Sequence, residues 1–149
     1  MGRGRFSPVT FLLMVALGFI VFRLFAGGAA ETPDYFGQYS TLSAGFEEAQ
    51  RSQRPVLALA TADWCGPCQS FKRGALSSPE VADFVGSNTI PVYIDVTDGN
   101  SPDAQSLGVQ SIPAVYVITP EGQVIAETGG AMSEGAFLAW AQAAVDSAN

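Results

Sequence analysis

Residues 56–68 read Val56-Leu57-Ala58-Leu59-Ala60-Thr61-Ala62-Asp63-Trp64-Cys65-Gly66-Pro67-Cys68. The first six form a short apolar run without charge, consistent with a strand buried on both faces. The last four are a Cys-x-x-Cys, with proline where its fixed φ suits the first turn of a helix. A Cys-x-x-Cys at the point where a strand gives way to a helix is a redox signature. The reason is electrostatic. With the helix starting at the first cysteine, Cys65 sits beside unpaired N–H groups and the positive end of the helix dipole. That stabilises a thiolate, and the thiolate is the nucleophile. Two intervening residues put Cys68 one turn on, within reach for a disulfide. Trp64 would supply an apolar face beside the reactive sulfur. The competing structural readings are half of a zinc site shared between chains, an inert disulfide and two unrelated thiols. The inert disulfide is a poor staple, because stabilisation by a cross-link grows with the loop it closes.

Outward from this stretch, hydrophobic period and turn residues predict the remaining elements. Ser43 to Gln53 reads as a helix with Ser43 at its N-cap, stopped by Pro55. A helix starts near Cys65 and runs through Phe71 toward Leu76. Ser78-Pro79-Glu80 opens another, with proline at the first helical position and Val81, Phe84 and Val85 on its apolar face. Ile90 to Val96 is a second strand, Asp98 to Pro102 a turn-rich loop, and Asp103 to Leu107 a short helical stretch ended by Gly108. Ala114 to Thr119 and Gln123 to Thr128 flank Pro120-Glu121-Gly122 and read as an antiparallel hairpin. Gly129-Gly130 breaks that pattern, and Ser133 to Ala148 reads as a closing amphipathic helix. The order α–β–α–α–β–α–β–β–α implies an α/β fold, a mixed central sheet flanked by helices on both faces.

Charge is unevenly distributed along the 149 residues. Arg3, Arg5 and Arg23 lie near the N-terminus, and all 14 acidic residues lie from Glu31 onward, against four basic ones. A domain this acidic repels phosphate backbones, which argues against nucleic acid as a partner. There is no histidine, which removes Ser/His and Cys/His catalytic pairs and His-containing zinc sites. Two cysteines cannot close a four-thiolate site within one chain. No metal and no organic cofactor is expected.

Arg3 and Arg5 precede an apolar run of 14 residues, Val9 to Phe22, then Arg23 and the small-residue stretch Ala26-Gly27-Gly28-Ala29-Ala30. Two readings compete. One is a signal peptide cut after Ala30, with Gly28 and Ala30 as the small residues a signal peptidase needs. The other, favoured on sequence, is an uncleaved anchor, which needs roughly 17–25 mostly apolar residues. Phe6 to Ala30 reaches that length only if Arg23 snorkels to the outer interface. A core helix is disfavoured because no polar face recurs at helical spacing. In either leading reading the acidic domain lies outside the cytoplasm, the periplasm if the source is bacterial. The expected division is therefore an anchor or signal at 1–30, a linker at 31–42 and one domain at 43–149. Tyr35, Phe36 and Tyr39 fall in the linker, where two readings compete: they pack on the domain, or, the favoured reading, they form a partly ordered tether.

Trp64-Cys65-Gly66-Pro67-Cys68 resembles the thioredoxin active-site motif at every position. Gly108-Val109-Gln110-Ser111-Ile112-Pro113, about 45 residues further on, resembles the family's cis-proline segment. The hairpin, Gly129-Gly130 and the final helix follow as they do in that family. Arg54-Pro55-Val56-Leu57, Ala62-Asp63-Trp64-Cys65, Ser78-Pro79-Glu80-Val81 and Asp95-Val96-Thr97 look closer to a subgroup. That subgroup includes the C-terminal periplasmic domain of the transmembrane thiol:disulfide interchange reductase. The resemblance spans Ser43 to Asn149. It implies the thioredoxin fold, with Cys65 as attacking thiolate, Cys68 as resolving thiol and Pro113 cis against the Cys65 sulfur. It implies that the backbone of Ile112 pairs with an extended substrate segment, and that Trp64, Gly66, Pro67, Pro113 and Gly129 complete the substrate surface.

Two departures stand out. The family's buried acid, six residues before the first cysteine, is Leu59 here. The acids that follow the second cysteine in the subgroup are replaced by Gln69, Ser70, Phe71 and Lys72. Asp63 is offered as the nearby acid to substitute, and a solvated loop charge is the plainer reading of it. The resemblance implies a monomeric protein-disulfide reductase, re-reduced by a membrane electron donor of the thiol:disulfide interchange type. An oxidase or isomerase of the same fold and a non-catalytic client-binding module are the alternatives.

Overall fold

The computed structural model describes residues 7–25 and 28–148. Arg3, Arg5, Ala26 and Gly27 of the leader lie outside the described residues. The elements in order are α1 (Pro8–Phe25), a 3-10 turn at Asp34–Phe36, α2 (Leu42–Ser52), β1 (Val56–Thr61), α3 (Gly66–Arg73), a second 3-10 turn at Ala75–Ser77, α4 (Pro79–Asn88), β2 (Ile90–Asp95), α5 (Pro102–Ser106), β3 (Ala114–Ile118), β4 (Val124–Gly129) and α6 (Glu134–Asp146).

The four strands form one mixed sheet in the order β2-β1-β3-β4. β1 runs parallel to β2 and antiparallel to β3, and β3 and β4 form the expected hairpin. β1 is buried at all six positions, and its alternation feeds two cores. Val56, Ala58 and Ala60 face one side, packing with Leu42 and Ala49 of α2, Val92 and Tyr116. Leu57 and Leu59 face the other, packing with Phe71 of α3, Val81 and Val85 of α4, Val115 and Phe137 of α6. Pro91 is tolerated in β2 because β2 is an edge strand. On that edge Tyr93 N–H donates to Tyr39 C=O, in a single parallel bridge to the N-terminal segment.

Several expectations are corrected. α2 starts earlier than Ser43: Thr41 is the N-cap, its Oγ1 accepting from Ala44 N at 3.2 Å. Asp103 Oδ2 accepts from Leu42 N at 2.9 Å, so two otherwise orphaned donors are satisfied by a cap two residues upstream of the expected one. α3 stops at Arg73 rather than running on to Leu76. Gly74 sits at φ −96°, ψ −107°, outside helical space, and the chain re-forms as the 3-10 turn. The tether expected around residues 35–39 is partly core. Phe36 is 2% exposed and joins the α3 side of the sheet, its ring 6.2 Å from that of Tyr93.

Among the described residues no helix is long and apolar enough to cross a membrane, so the favoured anchor reading is not carried by the structure. In sequence, Arg23 limits the charge-free part of α1 to Pro8–Phe22. At about 1.5 Å rise per residue that is about 22 Å, against about 30 Å of bilayer hydrocarbon.

Candidate active site

The site forms where β1 ends and α3 begins. Cys65 is the N-cap of α3, with extended backbone at φ −84°, ψ 104°. Its Sγ accepts from Cys68 N at 3.2 Å. The cap that serine or aspartate usually provides is thus made by the sulfur itself. Pro67 lies in the first turn, where a missing N–H costs nothing. Cys65 and Cys68 are joined in a disulfide, with Cα atoms 5.2 Å apart. Both are buried, Cys68 more completely, and they pack with Ala62, Val96 and Ile112.

The loop before Cys65 is tied down from two directions. From the β2 end, Thr97 Oγ1 accepts from Asp63 N at 3.0 Å, and Thr97 C=O accepts from Trp64 Nε1 at 3.1 Å. Thr97 N in turn donates to Asp95 Oδ1 at 2.8 Å. From α3, Gln69 Nε2 donates to Ala62 C=O at 3.0 Å, and Lys72 Nζ approaches Asp63 Oδ1 at 3.7 Å. Trp64 is therefore held at its indole nitrogen while the residue stays 69% exposed.

The Ile112–Pro113 peptide is cis, and Ile112 O lies 3.8 Å from Cys65 Sγ. Two openings lie on either side of the 108–112 loop. One, of about 340 Å³, is lined by Trp64, Val96, Ala104, Val109 and Ile112 among others. The other, of about 380 Å³, is lined by Tyr116, Glu127 and Gly129, and the two share Gly108, Gln110 and Ser111. Trp64 and Gly129 thus belong to different openings, while Gly66 and Pro67 are exposed beside the disulfide and line neither. The structure brings Trp64, Cys65, Cys68 and Ile112 together and puts Gly129 across the loop from them.

Leu59 is 1% exposed within the apolar core on the α3 side, so no acid occupies that position. The Asp63 side chain is 54% exposed and ion-paired, so it is no buried acid. Thr97 and Gln69 carry the site's second layer and were given no role by sequence. Thr97 stands in the Asp95-Val96-Thr97 segment whose resemblance had been noted, which was the available signal. Burial pushes the Tyr116 hydroxyl above its ordinary pKa, reinforced by the nearby Glu127 carboxylate. Among the described residues no cluster of histidine, cysteine or acidic side chains could hold a metal ion.

Comparison with known proteins agrees with this geometry. The thioredoxin-like family profile matches residues 38–120. The thiol:disulfide interchange protein DsbD of Neisseria meningitidis, in serogroup A and B strains alike, is 29% identical over 121 residues. Those residues are 77% of this chain but only 20% of DsbD, so the chain spans about a fifth of the curated relatives it matches. The crystal structure of the reduced C-terminal domain of N. meningitidis DsbD superposes with a TM-score of 0.59 at 28% identity, covering 68% of this chain and 92% of that domain. A thioredoxin from Thermus thermophilus superposes with a TM-score of 0.66 at 16% identity, covering 74% of this chain and 88% of that one, a likeness of fold. A capping cysteine bonded to its neighbour one turn on, beside a cis-proline loop, and a profile match over more than half of the sequence lead to one assignment: the chain belongs to the thioredoxin-like family of disulfide oxidoreductases, with Cys65 and Cys68 as its redox pair.

Proposed function

We propose that the protein reduces disulfides of proteins outside the cytoplasm through a Cys65/Cys68 dithiol. The observation that carries this reading is the capping geometry. Cys65 Sγ stands at the N-terminus of α3, accepting from Cys68 N, and Cys65 packs against Val96 and Ile112 of the groove lining. In the reaction, the Cys65 thiolate attacks one sulfur of the substrate disulfide and expels the other as a thiolate. Cys68 then gives its proton to solvent and attacks Cys65, which releases the second substrate sulfur. The dithiol loses two electrons and the substrate disulfide gains them. Trp64 and Ile112 offer the surface for an extended substrate segment, with the buried Pro113 fixing the loop behind them and Gly66, Pro67 and Gly129 at its margins.

The Gly66-Pro67 spacer and the isoleucine before Pro113 favour the reducing direction. The likeness to DsbD favours a membrane donor of the thiol:disulfide interchange type, which would restore the dithiol. The small residues Gly28 and Ala30 support reading the leader as an export signal cut after Ala30. Sequencing the mature protein should find Glu31 first, and a retained Met1 would restore the anchor reading.

The decisive experiment traps the intermediate. A Cys68→Ser variant expressed in the source cell accumulates mixed disulfides through Cys65, and the captured proteins identify clients and donor. A glutathione titration sets the direction. A potential near about −270 mV fits a reductase, whereas about −120 mV would make the enzyme an oxidase. Client binding that survives replacement of both cysteines by serine would instead mark a non-catalytic module.

A further inference from the structure

Lys72 is the buried charged group of the site, and the exchange chemistry above leaves its placement unused. A lysine is rarely buried without a partner, yet this side chain is 1% exposed. Its Nζ donates to Tyr93 Oη at 3.3 Å, lies 5.7 Å from the centre of the Tyr93 ring, and faces Asp63 Oδ1 at 3.7 Å. Lys72 follows Cys68 by four residues and so shares its face of α3. Asp63 precedes Cys65 by two, its backbone fixed by Thr97. The pair therefore brackets both cysteines, with a carboxylate from the loop and an ammonium from the helix.

Other charges nearby are differently engaged. Asp95 accepts from Thr97 N. Glu31 and Asp34 line the same cleft as Lys72. The opening beside Trp64 and Ile112 has no charged residue in its lining. On the core side, Leu59 supplies none.

We infer that the Asp63–Lys72 pair sets the acidity of Cys65, with Lys72 as a positioning residue that holds the Asp63 carboxylate against α3 and cancels its field. This rests on the dithiol–disulfide reading of the site. A carboxylate two residues away disfavours a thiolate at Cys65, and a buried ammonium favours it. Paired, the two offset each other and leave the helix N-terminus in control. Without the ammonium the carboxylate acts unopposed, so the thiol becomes less acidic and the disulfide more favoured. Without the carboxylate the ammonium acts unopposed, with the reverse result.

The test follows thiolate absorbance against pH in the reduced full-length protein, with the disulfide fraction read in a fixed glutathione buffer. Lys72→Met should move the Cys65 midpoint up by about half a pH unit or more and raise the disulfide fraction. Asp63→Asn should move the midpoint down. Lys72→Arg and the Asp63→Asn/Lys72→Met double variant should stay close to wild type, which closes a double-mutant cycle. A purely structural role would lower stability and leave the midpoints in place. If Lys72→Met fails to fold, Asp63→Asn decides alone, because that carboxylate is half exposed. Wild-type protein that cycles normally, with Asp63→Asn unshifted, overturns the inference. Wild-type protein that cannot cycle at all overturns the reading beneath it.

Discussion

Cys65 does two jobs with one atom. As a sulfur it is the reactive group, and as an N-cap it satisfies Cys68 N at 3.2 Å. The two roles separate by mutation. Cys65→Ser and Cys65→Ala both lose the disulfide, but serine keeps an acceptor at the cap. The alanine variant should be less stable than the serine variant by about 1 kcal/mol, measured by urea unfolding. Equal stabilities would mean that the cap contributes nothing. Leu59 makes the complementary case, a missing group. With no acid in the core to take the Cys68 proton, release of the mixed disulfide depends on solvent and should accelerate with pH more steeply than it would with a buried base. Leu59→Asp should speed turnover and flatten that pH profile, at a cost of several kcal/mol for placing a carboxyl in an apolar core. An unchanged rate in folded protein would remove the argument. The motif residues were legible from sequence because their relation is local, three positions along one helix. Thr97, Gln69 and Lys72 were not. Their contacts with Asp63, Trp64, Ala62 and Tyr93 join different elements, and single-chain spacing carries no trace of such pairings.

At the scale of elements, α2 illustrates how packing can override propensity. Gly45 is the fourth residue of α2, within the helix, where glycine costs up to about 1 kcal/mol relative to alanine. Yet α2 approaches β2 so closely there that an added methyl would overlap Val92 Cγ2. Gly45→Ala should therefore destabilise the protein by about 1–3 kcal/mol, since overpacking outweighs the propensity gain. A rise in urea midpoint would show that Val92 can yield. The same helix shows what patterning does and does not reveal. The apolar run from Val56 and the Pro-Glu-Gly hairpin turn announced β1, β3 and β4, because strand burial and turn chemistry are written in adjacent residues. The true start of α2 was hidden. Thr41 and Ser43 are both plausible caps, and the choice was made by Asp103, 61 residues away from Leu42.

For the whole molecule, the N-terminal segment is the part that composition misjudged. Its prolines, glycines and polar residues read as a tether, but three aromatic residues fasten it to the domain. Phe36 is buried, Tyr39 bridges to the β2 edge, and Tyr35 Oη donates to Leu76 C=O at 2.9 Å. Truncating Phe36 to alanine should cost about 3–5 kcal/mol, as large an effect as any core substitution, where a true tether would lose almost nothing. Tyr35 permits a sharper test through pH. Burial pushes its hydroxyl well above the ordinary tyrosine range, so the folded protein keeps a proton that the unfolded chain releases near pH 10. The unfolded state then binds fewer protons, and stability must fall as pH rises past about 10, while below that value the contribution is intact. Tyr35→Phe removes the hydrogen bond, costing about 1 kcal/mol at neutral pH, and also removes the titrating group. Its stability should then decline less steeply between about pH 9 and 11 than that of wild type, with Tyr116 supplying the remaining slope in the same direction. Urea midpoints taken across that range decide the matter: parallel curves for the two proteins would mean that Tyr35 is not buried in solution and that residues 31–39 hang free of the domain.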